Sequence, residues 1–412
     1  MPPSRAVPVC TISTAKAMHR PNVATAILLL ACLAAACGPG DSSAVERWAG
    51  SIDTLPGGQV VVSNPGTPAW VEGEEWEVVE ELRLGSQKAE GPELFGRVEL
   101  LEVDGEGRIW VFDGQAQEIR VFDPSGGFVR RIGRSGGGPG EFARAVRMEL
   151  GPDDNIWIMD PQNNRLSVFD TSGVYLDGKQ VGGGFLLLPW PGRFDAAGNY
   201  YLPVPRFDPE FSLDMVRMDT TLTPLDTLAP LVSPIEPEFF EHGMMRAGIP
   251  YVGSMVTRIS REGTRWALIT DQYRLVEFSA AGDTLRTITR EFAPLPVTDA
   301  DRERAREGLE WFTRQGGTID LGRLPRTRPL ARTFVRADDG HTWVGLESAP
   351  DELGHHFDIF DPEGRFLGSI RLPFPLSVTP FPLIRGDMVY GVTRDELDVQ
   401  YVVRARIVKP AG

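Results

Sequence analysis

The sequence predicts an all-β fold, a six-bladed β-propeller of four-stranded blades, on three observations. Residues 104–176 run through one scheme of short strands and turns twice over. An aromatic residue then returns three places after a turn Gly or Asp along the rest of the chain. Finally, a strand-and-junction stretch ahead of the first full unit copies what the last unit lacks, as ring closure requires.

Taken in order, the chain opens with an address. Arg20 precedes an apolar core at residues 23–31 and then Cys32-Leu33-Ala34-Ala35-Ala36-Cys37. A basic start, a short apolar core and small residues before a cut make a secretory signal, too short for an ordinary membrane span. The Cys at its end resembles the lipobox of bacterial lipoproteins. Residues 1–36 therefore read as a signal peptide, with Met18 an alternative start, and Cys37 as the acylated residue, with Cys32 the alternative. Residues 37–54, beginning Gly38-Pro39-Gly40-Asp41-Ser42-Ser43, read as a flexible tether. Cys10, Cys32 and Cys37 are the three cysteines, so the exported domain must stand without disulfides.

Residues 55–410 read as the propeller. Residues 76–85, followed by Gly91-Pro92-Glu93-Leu94-Phe95, copy the fourth strand and junction of residues 128–142. They are expected to supply the outer strand of the last blade, with residues 59–63 as a further strand there. In the first full unit, Gly107-Arg108-Ile109-Trp110-Val111 and Ile119-Arg120-Val121-Phe122-Asp123 are strands rich in β-branched and aromatic residues, closed by Pro124-Ser125-Gly126-Gly127. The second unit repeats them as Asn155-Ile156-Trp157-Ile158-Met159-Asp160 and Leu166-Ser167-Val168-Phe169-Asp170. The returning aromatics are Trp110, Trp157, Tyr201, Trp266 and Trp343, with Val389 beside Tyr390 at the sixth place. They are expected to pack between neighbouring blades. A lone unit cannot bury both faces of its sheet, so the units must stack into a ring.

Two gaps between these markers are long and place insertions at about residues 228–255 and 291–331. In the second, Thr298-Asp299-Ala300-Asp301 reads as the N-cap and acidic first turn of one short helix over residues 302–314.

Arg131-Ile132-Gly133-Arg134-Ser135-Gly136-Gly137-Gly138-Pro139-Gly140-Glu141-Phe142 resembles the Gly-Pro-Gly-rich junction of NHL repeats. Residues 153–166 resemble the family's strand–turn–strand core. The likeness is strong in the first two units and the fifth and fades in the others. It implies a six-bladed ring used mostly as a binding scaffold, so it identifies the fold better than an activity. Amidating lyases built on such propellers hold zinc with several histidines, and six-bladed lactonases hold calcium in the channel with Glu, Asn and Asp oxygens.

Composition and motifs narrow the chemistry. Asp plus Glu number 57 against 42 Lys plus Arg, a net charge of −15, which argues against nucleic acid as a partner. The chain has no Gly-x-Ser-x-Gly elbow, no His-Glu-x-x-His and no phosphate loop with Lys. After the signal the histidines are His242, His341, His355 and His356. His341 falls on the face opposite the adjacent pair, which disfavours zinc. Acids such as Glu99, Asp104 and Asp195 recur mostly where turns want Asp.

Arginine is the remaining signal. Arg97 and Arg144 occupy equivalent places near the starts of inner strands, and Arg326, Arg328 and Arg332 precede the fifth inner strand. Such arginines at the channel mouth suit a carboxylate or phosphate held by bidentate bonds; salt bridges with the many acids are the alternative. Both insertions and the loop at residues 347–356 fall on one face. There Trp311, Phe312, His355 and His356 are expected close to Arg326 and Arg328. The candidate ligand-binding residues are thus Arg97, Arg144, His242, Trp311, Phe312, Arg326, Arg328, His355 and His356, and no residue is assigned a catalytic role.

The expectation is a monomeric scaffold of the cell envelope, lipid-anchored at the periplasmic face of the outer membrane or at the cell surface. Its loop-rich face would bind an envelope protein, peptide or glycan, without a cofactor, calcium and zinc being left open. The alternative is a calcium- or zinc-dependent propeller hydrolase or lyase with its site in the central channel.

Overall fold

The computed structural model describes residues 39–86, 91–180, 193–206, 212–348 and 352–410. The signal at 1–36 and Cys37 lie outside the described residues. From residue 98 onward, four antiparallel strands recur as a blade. Blade one is Val98–Val103, Ile109–Asp113, Glu118–Phe122 and Phe128–Ile132. Blade two is Arg147–Leu150, Ile156–Asp160, Arg165–Phe169 and Tyr175–Gln180; blade three is Arg193–Phe194, Tyr200–Arg206, Ser212–Met218 and Pro224–Thr227. Blade four is Met255–Ile259, Arg265–Ile269, Arg274–Phe278 and Thr284–Arg290; blade five is Ala331–Arg336, Thr342–Leu346, His356–Phe360 and Phe366–Arg371. Blade six takes Leu383–Arg385, Met388–Arg394 and Gln400–Val408 from the C-terminal end and its outer strand, Glu77–Leu84, from the N-terminal end. The fold is therefore the six-bladed propeller that the repeats predict.

The second strand of blades one, two, four and five is buried at every position. Neighbouring blades cover both of its faces, which is why these strands read as unbroken apolar runs and not as alternation. The marker aromatics Trp110, Trp157, Tyr201, Trp266 and Trp343 are all buried. In blades one and three the polar tip is tied down by the turn before it. Asp104 accepts from the backbone N–H of Glu106 and Arg108 and, at 2.9 Å, from Trp110 Nε1. Asp195 does the same for Ala197, Asn199 and the Tyr201 hydroxyl. In blade two Gly151 stands in this place, and the Trp157 indole N–H has no partner among the described residues.

The junctions between blades are equivalent as well. Arg165 Nη2 donates to the carbonyls of Gly138 and Glu141, both at 2.8 Å, and Arg120 Nη1 donates to those of Pro92 and Leu94. A third-strand arginine thus pins each Gly-Pro-rich turn by satisfying carbonyls that would otherwise be stranded.

Ring closure runs through an antiparallel ladder from Val402 opposite Leu84 to Val408 opposite Glu77. Trp76 seats this strand: its ring lies 5.5 Å from Trp70, 6.2 Å from Trp343 and 5.0 Å from His341.

Three expectations change. Residues 59–63 do not join the last blade. Val60–Asn64 pairs in parallel with Thr284–Arg290 on the outer edge of blade four, and Ser51–Thr54 folds back on it. Val62 is buried among Trp266, Leu275 and Ile288, so the arm covers an edge that would otherwise be open. Nor is the described part of residues 37–54 a loose tether. It forms helix α1, Pro39–Arg47, with Ala44 fully buried and Trp48 Nε1 donating to Asn64 Oδ1 at 2.8 Å. And the inserted helix is two: α2, Asp299–Gly308, and α3, Glu310–Arg314, broken where Leu309 leaves helical geometry (φ −100°, ψ 4°). The capping box on Thr298 and Asp301 forms as its spacing implies.

Candidate functional site: the arginine-lined channel

Inner strands line the central channel, and each one after the first carries an arginine: Arg147, Arg193, Arg258, Arg332 with Arg336, and Arg385. Three glutamates, Glu99, Glu102 and Glu149, are the acids on the same strands. Ladder register explains the convergence. Glu102 lies opposite Trp110, Glu149 opposite Trp157, Arg193 opposite Tyr201 and Arg258 opposite Trp266. One rung of the ring therefore holds four charged side chains from four blades.

A cavity of 300 Å³ occupies this part of the channel. Its walls include Glu102, Arg147, Glu149, Arg193, Arg336 and Arg385. Its rim consists of the turns between inner and second strands, with Pro152, Asp154, Ala196, Arg261 and Asp338. That rim lies on the face opposite both insertions, because inner-to-second turns and outer-to-inner connections sit at opposite ends of the strands. At the other end the connection into blade six crosses the channel. Phe381 lies 4.2 Å from the Arg258 guanidinium and 5.7 Å from that of Arg147. With Thr379 and Pro380 it encloses a smaller space of 90 Å³ against blades one and two. The channel is thus a cup, open at the turn face and closed by Phe381.

Two ion pairs cross the cup. Arg385 bonds Glu102 and also donates to Val103 O at 2.6 Å, joining the last blade to the first. Arg147 bonds Glu149 along one strand. Glu102 is further held by the N–H groups of Val103 (2.8 Å) and Leu150 (3.1 Å). Burial pushes Glu149 above the usual glutamate range; Arg147 opposes this and Glu102 adds to it. Among the described residues Arg258 has no carboxylate within ion-pair distance. It donates to Thr257 O at 2.8 Å and to the Thr333 hydroxyl at 3.4 Å, and burial, with Arg147 and Arg193 beside it, pulls it down to about 10.

The face expected to bind is arranged differently. The hairpin Phe239–His242 and Met245–Gly248 packs on α2 and α3, burying Phe240, Ile249, Leu309, Phe312 and Leu324 in a cluster of their own. Phe312 is fully buried there, so it serves the inserted unit and is not open to a ligand. Arg328 is buried too, gripping Asp301 with Nε and Nη2 at 2.6–3.0 Å. Burial alone would raise the Asp301 carboxyl, but the Thr298 cap and Arg328 hold it well below the usual range. Trp311 is half-exposed, edge-on to Phe312, and Arg326 and His242 are exposed. His355 is buried, with Nδ1 donating to Leu372 O, while His356 faces Glu352 at 3.0 Å. The aromatic-plus-arginine patch is therefore not assembled. Arg97 and Arg144 do not line the channel either. Arg97 is exposed beside Glu99, Arg144 is exposed, and the backbone N–H groups of both donate to Asp113 and Asp160. Arg332 pairs with Glu347.

Among the described residues no three His, Cys, Asp or Glu converge on one point. His341 lies against Trp76 on the opposite face from His355, Asp104 and Asp195 are consumed by their turns, and the two channel glutamates are engaged by arginines. No helix among the described residues is long and apolar enough to cross a membrane.

The channel arginines were within reach of sequence reasoning. Aligning the units on their marker aromatics puts Arg193 and Arg258 in the same column as Glu102 and Glu149, whereas Arg97 and Arg144 fall on the approach to the strand.

Comparison with known proteins agrees with the architecture. The family model for DUF5128, six-bladed β-propeller, matches residues 92–182. None of the curated proteins matches the chain. Among solved structures, a Bacteroides fragilis protein described as exported is 13% identical with a TM-score of 0.47, covering 85% of this chain and 100% of its own. A gluconolactonase of Xanthomonas campestris is 13% identical (TM-score 0.39; 76% and 88% covered). Virginiamycin B lyase of Staphylococcus aureus is 9% identical (TM-score 0.37; 81% and 100% covered).

Proposed function

We propose that this chain is an exported, lipid-anchored binding propeller that admits a small polar group, free or at the end of a polymer, into the cup. The observation that carries this reading is the blind, charged cavity to which strands or turns of several blades contribute. The rigid inner strands pre-set its geometry, which is what a binding site on a propeller needs. Among the described residues its walls bear no Ser, Thr, Cys, His, Tyr or Lys to serve as nucleophile, and Glu102 and Glu149 are engaged by arginines. That favours recognition over turnover. The signal ending at Cys37 supports export and anchoring.

Thermal unfolding in the presence of a panel of amino acids, dicarboxylates, monosaccharides and sugar phosphates tests the reading. At least one class is expected to stabilise the wild type and to lose that effect in Ala196→Trp, which fills the mouth from an exposed rim position. Equal stabilisation of wild type and variant by every active compound places the ligand elsewhere.

A further inference from the structure

We infer that the group admitted to the cup is an oxyanion, a carboxylate or a phosphate, received by the guanidinium groups of Arg193 and Arg336. This rests on the cup being the binding site. The inference comes from matching each cation in the walls to its counter-charge. Arg385 is answered by Glu102, Arg147 by Glu149, and Arg261 at the rim by Asp338 at 3.8 Å. Arg193 has no hydrogen bond or ion pair with any described residue. Arg336 donates to the Thr342 hydroxyl at 2.7 Å and lies 4.4 Å from the centre of the Trp266 ring, with no carboxylate within ion-pair distance among the described residues.

Both line the same 300 Å³ space, from blades three and five. Arg258 of blade four, between them in ring order, is likewise without a carboxylate. Three neighbouring blades thus turn arginines with no ion-pair partner among the described residues toward one channel, in a chain whose overall charge is −15.

Physical chemistry makes that arrangement unlike a solvated arginine face. Like charges in a half-enclosed, low-dielectric channel repel, and the depressed Arg258 registers that repulsion together with its burial. The Trp266 ring, 4.4 Å from the Arg336 guanidinium, and the Thr342 hydroxyl steady it, so little side-chain freedom is lost when its N–H fork meets two oxygens. The acids near the rim make no ion pair with these cations: Asp195 is taken by its turn and Tyr201, Asp338 by Arg261, and Glu262 acts on Arg193 and Arg336 only across a longer gap. An anion entering from the turn face would therefore replace repulsion with charge-assisted hydrogen bonds, and the field of the walls would draw it inward.

Titration calorimetry with sodium phosphate, with succinate and with uncharged succinamide, at one ionic strength set by sodium chloride, tests this. Wild type, Arg193→Gln, Arg336→Gln and the exposed junction variant Arg134→Gln are compared. At least one of the two anions is expected to bind saturably, with affinity at least tenfold weaker in Arg193→Gln and Arg336→Gln and unchanged in Arg134→Gln. The stronger of phosphate and succinate identifies which oxyanion the cup takes. Arg193 has no described partner, so Arg193→Gln keeps the fold and remains decisive if Arg336→Gln does not fold. The inference is overturned if sodium chloride alone reproduces the effect of both anions, or if both cup variants bind like wild type. It is also overturned, with the cup itself surviving as a site, if succinamide binds as well as succinate and only Ala196→Trp abolishes it.

Discussion

Trp76→Ala is the sharpest test of how the ring is held shut. The side chain is buried at the end of the N-terminal closing strand, against Trp70, Trp343 and His341, and Lys409 sits 4.0 Å from its ring centre. Truncating a buried Trp costs about 3–5 kcal/mol, from lost transfer energy and from the cavity left behind. The cavity here is walled by two other indoles on separate elements, which cannot collapse into it without moving a blade, so the upper half of that range is expected. Losing the part-exposed Lys409 contact accounts for about 0.5–1 kcal/mol of the total. Lys409→Met sets an upper bound on that share, because it keeps the packing and removes the charge together with the 3.7 Å ion pair to Asp339. Urea unfolding followed by far-UV circular dichroism is the assay, with the midpoint shift multiplied by an unchanged slope giving the loss. A Trp76→Ala loss under about 1 kcal/mol, the size of an ordinary surface substitution, would refute the claim that this residue seats the closing strand.

Two further outcomes follow from features already described. Burial, opposed by Arg147 and aided by Glu102, raises the Glu149 pKa, so this carboxyl takes up its proton before an ordinary glutamate as pH falls. The cup then loses one negative charge, and the affinity for an anion of fixed charge such as a sulfonate rises roughly threefold to tenfold as pH falls toward the ordinary glutamate range; calorimetry over a pH series checks it, and the same slope in Glu149→Gln would sink the assignment. Cys37→Ser is expected to move the protein from the membrane fraction to the soluble fraction while Cys32→Ser does not, and the reverse pattern would make Cys32 the acylated residue.

Most of the fold was written in the sequence because each blade repeats the same local device. A turn Asp such as Asp104 or Asp195 fixes the aromatic six places on, and a third-strand arginine such as Arg120 or Arg165 pins a Gly-Pro turn. The closing strand was legible for the same reason, since residues 76–95 copy residues 128–142. Where the chain makes a non-repeating contact, pattern fails. Val60-Val61-Val62 announces a strand, but nothing local says that it pairs in parallel with Thr284–Arg290. Phe312 reads equally well as an exposed anchor or as core, and only the hairpin packed over it decides. The cup is the extreme case. Its arginines come one or two to a blade, each looks like a surface residue in its own strand, and their meeting is a property of the closed ring.

The same closure has a consequence for how the protein is made. Glu77–Leu84 is among the first stretches of the folded domain to be synthesised, and its ladder partner Gln400–Val408 is nearly the last. The parallel arm at Val60–Asn64 likewise waits for Thr284–Arg290. Such pairings of high sequence separation form slowly and cannot form at all on a partial chain. Glu77–Leu84 therefore stays without its ladder partner until the C-terminus has been delivered. In the export proposed above, a chain threaded outward from its N-terminus would emerge unfolded and transport-competent and lock only when its last residues arrive, so that the order of the strands would double as a timer.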